Sequence, residues 1–206
     1  MGGVDFMLNY PAGHTSSRMR QKEIYKKKPK QSYASRGMSL EDKLNQSNDY
    51  YLQKGMAVIH KKPTPVQVVK VNYPKRSAAK ITEAYFRNAS TTDYNGVYKN
   101  HYIDFEAKET NNKTSFPLAN LPEHQRVHMR QCIKHGGLAF LIVSFKAYQE
   151  IYLLPFNRVD DYLGTTDKQS ITYEWIKQNS YPCNVGLFPM IDYLPAIDAY
   201  LKDLDN

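Results

Sequence analysis

From His101 to Thr110 the chain reads His-Tyr-Ile-Asp-Phe-Glu-Ala-Lys-Glu-Thr. Apolar and charged positions alternate, which is the period of a β-strand. Ile103, Phe105 and Ala107 fall on one face, suited to a core, while Asp104, Glu106 and Lys108 fall on the other. A strand with three successive charges on its second face presents them to something. Leu138 to Phe145 is a nearly continuous apolar run. It predicts a central strand covered on both sides, with 150–154 as its neighbour. Residues 66–73 and 78–86 are strongly β-prone, and Pro74-Lys75-Arg76-Ser77 between them reads as a turn. That is a hairpin with a basic tip, either a surface feature or an arm reaching into nucleic acid. A short strand over 56–59 is broken by Pro63 and Pro65.

Helical signals alternate with these strands. Ser39 caps a helix whose apolar face carries Leu40, Leu44, Ser47, Tyr51 and Leu52, and Gly55 ends it. Pro122 opens a second helix that runs to about His135 and stops at Gly136-Gly137. Gln125, His128, Met129 and Cys132 share one of its faces. Shorter helices are expected over 158–163 and 172–178, with Trp175 in the core, and a last one over 195–204 with Ile197, Tyr200, Leu201 and Leu204 on its apolar face. The fold class is α/β.

Asp93 lies just before a hairpin that turns at Lys99-Asn100 and returns along the charged strand. The fold-back brings Asp93 towards Glu106 and Lys108. Two neighbouring carboxylates repel unless a cation sits between them, and an all-oxygen set suits Mg²⁺ or Mn²⁺. Lys108 could orient a water or stabilise negative charge on a phosphate. Thr91, two residues before Asp93, points the same way in an extended chain and adds an oxygen. The competing reading is a solvated strand face with cross-strand ion pairs. His124, His128 and Cys132 at helical spacing invite a zinc reading, but no fourth ligand is visible, and core or DNA-facing histidines fit better. Glu41 is a helix-dipole partner that could approach the metal site.

Charge sharpens the picture. The chain of 206 residues has 28 basic and 20 acidic residues, a net charge of +8. That favours nucleic acid over a membrane as partner. Residues 1–36 hold eight cations (Arg18, Arg20, Lys22, Lys26, Lys27, Lys28, Lys30 and Arg36) against Asp5 and Glu23, so six of the eight net charges sit there. This stretch reads as a disordered basic tail, binding phosphates or a protein partner, or simply solvated. There is no run of 18 apolar residues and no signal-peptide pattern. Two cysteines without metal spacing point to free thiols and a reducing cytoplasm. With no Walker-type loop, no ATP use is indicated.

Several strings carry a resemblance. Asp93 with Glu106-Ala107-Lys108 is similar to the core of the PD-(D/E)XK nucleases. Residues 59–65 (IHKKPTP), 73–77 (YPKRS), 90–96 (STTDYNG) and 103–110 (IDFEAKET) resemble one branch, the RecU family of Holliday junction resolvases. The likeness is dense over 36–145 and loose beyond. It implies a restriction-endonuclease-like fold in residues 37–206, a mixed central sheet flanked by helices, with a projecting β-stalk at 66–86. It implies a Mg²⁺-dependent endonuclease that resolves four-way DNA junctions by paired nicks, acting as a homodimer beside recombinase and branch-migration proteins. Asp93 and Glu106 would hold the metal with Thr91 and Gln125, the last carried over from the family's His-Gln pair, here His124-Gln125. Lys108 completes the catalytic set. Arg36, Lys61, Lys62, Lys75 and Arg76 are the DNA-contact candidates. The family often has a histidine where this chain has Pro122, so any role of that histidine is absent. Met7-Leu-Asn-Tyr-Pro resembles the family's usual start, which makes residues 1–6 an upstream extension. Two alternatives remain open at this point: an architectural DNA-binding protein without catalysis, and a nuclease for ordinary duplex.

Overall fold

A computed structural model describes residues 37–87 and 91–205. The expected basic tail, Arg36 included, lies outside the described residues. In chain order the elements begin with α1 (Leu40–Gln53), β1 (Val58–Lys61), β2 (Val66–Asn72), β3 (Lys80–Phe86), β4 (Tyr94–Tyr98) and β5 (His101–Thr110). There follow β6 (Ser115–Pro117), α2 (Glu123–Lys134), β7 (Leu138–Phe145), β8 (Glu150–Pro155) and α3 (Phe156–Thr165). The chain closes with β9 (Ser170–Thr172), α4 (Tyr173–Gln178), β10 (Tyr181–Pro182), β11 (Asn184–Val185), β12 (Ile191–Asp192) and α5 (Leu194–Leu204).

Six strands form the central sheet in the order β1-β4-β5-β7-β8-β10. Every neighbouring pair is antiparallel except β5 and β7, which run parallel. Parallel neighbours need a long crossover, and here it is the stretch that contains α2. The sheet is therefore mixed and flanked by helices, as the sequence implies. β7 is buried along its whole length. Its Phe140 and Ile142 enter a cluster with Leu44 and Tyr51 of α1 and Ile197 and Tyr200 of α5. Its Ala139, Leu141, Val143 and Phe145 enter a second cluster with Met129 of α2 and Val159 of α3. Each fully buried side chain of this size contributes about 1.5–3 kcal/mol.

β5 is fixed by both its neighbours. Lys99 and Asn100 both have positive φ, 46° and 66°, the signature of the two-residue turn whose twist suits a hairpin. Tyr94, Phe105 and Phe140 lie opposite one another on three adjacent strands. Their rings stack at 4.8 Å and 5.0 Å with interplanar angles of 6° and 9°. That row locks the register of β4, β5 and β7, because a slip of one residue would turn every side chain to the wrong face.

Among the described residues β2 and β3 pair only with each other and form the projecting hairpin. Their side chains are exposed on both faces apart from the half-buried Val71. At the tip, Arg76–Ala78 makes a single tight helical turn.

Some boundaries differ from the expected ones. The first strand is 58–61 rather than 56–59, because it is defined by pairing with β4, in which Lys61 meets Tyr94. Met56 is exposed. On α1 the buried stripe is Leu40, Leu44, Ser47, Asn48 and Tyr51. Leu52 falls outside it, and Asn48 takes its place because Tyr193 donates a hydrogen bond to its amide oxygen. Leu204 is likewise exposed at the end of α5, and Trp175 packs only partly against the second cluster. Both cysteines are free thiols. Among the described residues no helix is long and apolar enough to cross a membrane.

Candidate metal and catalytic centre

The face of β5 opposite its core side carries Asp104, Glu106 and Lys108. Their partners on β7 are Ala139, Leu141 and Val143, so the apolar layer beneath α2 gives way to charge at β5. The hairpin register sets Tyr94 against Phe105, which brings Asp93 beside Glu106. The Asp93 backbone N–H donates to Glu106 Oε2 at 3.0 Å, and the Ala107 N–H donates to Asp93 Oδ2 at 3.2 Å. Lys108 Nζ lies 2.7 Å from Glu106 Oε1. Gln125, on the first turn of α2, donates to the same oxygen at 2.8 Å. Three of the expected site residues, Asp93, Lys108 and Gln125, thus converge on the carboxylate of a fourth, Glu106.

The electrostatics of that carboxylate are unusual. Glu106 is 2% exposed. Burial, then the charge of Asp93, push its pKa up to about 7 against the opposing pull of Lys108. Gln125 Oε1 is buried and meets no hydrogen-bond partner among the described residues. A buried oxygen without a donor costs on the order of 1–3 kcal/mol. Two close carboxylates are oxygen donors of the kind that suits a hard divalent cation, and the Gln125 amide, whose nitrogen faces Glu106 here, would add its orphaned oxygen on turning about its terminal torsion.

A second group adjoins the first. Asp104 is fully buried and accepts four hydrogen bonds. Thr92 Oγ1 donates to its Oδ1, and Lys62 Nζ and Tyr102 Oη reach its Oδ2 at 2.7 Å and 2.9 Å. His128 Nε2 lies 3.2 Å from Oδ1. Burial works to raise the pKa of Asp104, but the hydrogen bonds from Lys62 and Thr92 outweigh it and hold the carboxyl below its ordinary value. Burial and the charge of Asp104 push the Cys132 thiol up. Ligand atoms of Asp104, His128 and Cys132 lie within 4.8 Å of one another, a grouping that could hold a metal ion. The Lys62 ammonium sits against its carboxylate, however, which opposes a second cation there.

The other expected residues are placed as follows. Thr91 is half-buried and makes no hydrogen bond with the Glu106 group among the described residues. Its neighbour Thr92 is buried instead and reaches Asp104, since the backbone at 91–93 bends rather than running extended. Lys61 is exposed and paired with Glu41, whose carboxylate raises the lysine's pKa. Lys62, expected at the DNA surface, has its ammonium turned inward onto Asp104, with its side chain 17% exposed. Lys75 is exposed at the hairpin tip, and Arg76 follows it in the turn. His124 is exposed and stands apart from the group that His128 and Cys132 form with Asp104. Sequence reasoning missed Asp104 and Thr92 as partners of Lys62. The available signal was that Asp104 shares the strand face of Glu106.

Curated relatives match almost end to end. A Holliday junction resolvase RecU of Staphylococcus epidermidis is 50% identical over 202 residues, 95% of this chain and 97% of the relative. One from Shouchella clausii is 51% identical over 194 residues, 93% and 94% of the two chains. One from Lactobacillus acidophilus is 46% identical over 207 residues, 96% and 98%. The family model described as Recombination protein U matches residues 35–199. With that match covering every residue of the Glu106 centre, the chain belongs to the RecU family.

Proposed function

We propose that the chain is a Mg²⁺-dependent endonuclease, able to use Mn²⁺, that resolves four-way DNA junctions in homologous recombination and repair. The observation that carries this reading is the convergence of Asp93, Lys108 and Gln125 on the buried Glu106. The names of the relatives, Holliday junction resolvases, supply the substrate class. Asp93, Glu106 and the Gln125 amide oxygen would hold the cation, with Thr91 as a further candidate. A bound divalent cation lowers the pKa of a water nucleophile and polarises the phosphate. Lys108, beside Glu106, would donate to that water or to the phosphate oxygens as negative charge grows in the transition state. Two symmetric nicks need two sites, which a homodimer supplies. Recombinase and branch-migration proteins are the neighbours such an activity implies, and a reducing cytoplasm suits its free thiols.

The test is a labelled four-way junction and a matching linear duplex, each incubated with the purified chain. Paired nicks in the junction with Mg²⁺ and none with EDTA are expected. Binding without nicking would identify an architectural protein, and equal cutting of the duplex a general nuclease.

The exposed hairpin is the candidate for junction choice. Phosphate contacts alone carry little shape information, whereas a projecting arm can enter the opening between four duplex arms. Replacing Lys75 and Arg76 together by alanine should weaken junction binding about tenfold more than duplex binding. The salt slope on the junction should fall by about two, one per lost phosphate contact. Affinities at one fixed salt concentration and a salt series measure both. Equal losses on the two substrates would make the tip a general phosphate contact.

A further inference from the structure

The hydrogen bonds of Asp104 come from four separate segments, and three of the segments meeting at its carboxylate each carry a member of the metal centre. Thr92 is the residue before Asp93. Asp104 itself stands two residues before Glu106 on the same strand face. His128 follows Gln125 by almost one turn of α2. Lys62 closes the arrangement from both ends. Its ammonium meets Asp104 Oδ2 at 2.7 Å and Thr92 Oγ1 at 2.9 Å, while its backbone N–H donates to the Asp93 carbonyl at 2.7 Å. Tyr102, from the start of β5, fills the remaining acceptor position at 2.9 Å.

We propose that Asp104 is a positioning residue whose buried carboxylate, through Lys62, Thr92, Tyr102 and His128, holds Asp93, Glu106 and Gln125 in the arrangement that takes up the divalent cation. The inference rests on the function proposed above and adds to it a residue that touches neither metal nor DNA. A fully buried carboxylate is costly unless its lone pairs are met, and here four donors meet them. The donors cannot be rearranged without moving the segments that bear them. Asp93 precedes β4 on a bent backbone and Gln125 opens a helix, so neither is fixed by strand pairing as Glu106 is. The clamp supplies the constraint that pairing does not. It also assigns Lys62 to the centre rather than to the DNA surface.

Two variants separate positioning from bulk stability. Thr92→Val keeps the shape of the side chain and removes the hydroxyl donor. Asp104→Asn keeps the shape and puts an amide NH₂ among donors. Each should raise the dissociation constant for Mn²⁺, read by calorimetric titration of the metal-free chain, by about 10–100-fold, the range for groups that orient metal ligands. The Mg²⁺ concentration giving half-maximal junction cleavage should rise in step, while the rate at saturating Mg²⁺ falls by less. Thr92→Ser, which keeps the hydroxyl, should restore Mn²⁺ affinity. A merely structural role predicts lower melting temperatures with unchanged Mn²⁺ affinity, and that result in Thr92→Val overturns the proposal. Should Asp104→Asn fail to fold, the Thr92 pair still decides it. If the native chain takes up no Mn²⁺, the proposed function fails and the inference with it. If the native chain binds and Thr92→Val binds equally well, only the inference falls.

Discussion

Glu106→Gln is expected to lower junction cleavage by at least about 10²-fold, the scale for loss of one preorganised electrostatic contact, while junction binding stays intact or tightens. Glu106 is the point on which Asp93, Lys108 and Gln125 meet, so its charge is central to the site. The substitution keeps size and shape but removes that charge, and with it the attraction for a cation. Less negative charge then faces the phosphates, so affinity for DNA does not suffer. Asp93→Asn should behave alike. Cleavage by either variant near the native rate would contradict the ligand assignment. A pH signature accompanies the change. The folded carboxyl titrates near 7, above its ordinary value, because of burial and Asp93. The native chain therefore binds this proton more tightly than the unfolded chain does. Stability from this group is present at low pH and is lost as pH rises from the ordinary carboxylate range through about 7. Metal-free native protein should lose melting temperature across that window, and metal-free Glu106→Gln should lose less. Parallel pH profiles for the two would contradict this.

Gly96→Ala carries the second large effect, on the fold rather than the chemistry. Gly96 lies in the middle of β4, between Ile59 of β1 and Ile103 of β5. A Cβ there would stand 2.1 Å from the Val58 carbonyl oxygen and 2.7 Å from the Ile59 Cα. Both are backbone atoms and cannot swing aside, so β1 must be pushed from the sheet. Losses at or above the upper end for overpacking, about 3 kcal/mol, are expected. At roughly 2–4 °C per kcal/mol for a chain of this size, thermal unfolding should begin about 6–12 °C lower. Because Lys62 follows β1 directly, its contacts with Asp93 and Asp104 should loosen too. Gly164→Ala is the control, since a Cβ there meets nothing within 4 Å. In a helix that change is neutral or stabilising by up to about 1 kcal/mol. A Gly96→Ala melting temperature equal to that of the control would contradict the close approach of β1.

Much of this was legible in the sequence. Alternation over 103–108 separates the core face of β5 from its charged face, and the structure bears out both. The apolar run 138–145 announces the doubly covered β7. Glycines at 136 and 137 mark the end of α2, where Gly136 takes a positive φ of 83°. The Lys99-Asn100 turn, and with it the approach of Asp93 to Glu106, follows from the spacing of two β-prone runs. Other features were not legible, for physical reasons. Nothing local distinguishes Lys61, paired at the surface with Glu41, from Lys62, turned inward to Asp104. The difference arises only when the chain after β1 is laid across the loop before β4. Alternation assigned Thr91 the direction of Asp93 on the assumption of extended backbone, and the bend at 91–93 removes that assumption. Helical spacing brought His128 and Cys132 together correctly, but their companion is Asp104 on a neighbouring strand, a contact between distant segments.

The claim that the Glu106 group, and not the Asp104–His128–Cys132 group, is the metal centre has one direct test. Mn²⁺ is titrated calorimetrically into the metal-free full chain, into Glu106→Gln and into Cys132→Ser, under identical conditions. The predicted result is binding by the native chain, the same affinity in Cys132→Ser, and loss of binding in Glu106→Gln. Retained binding in Glu106→Gln together with its loss in Cys132→Ser would contradict the account.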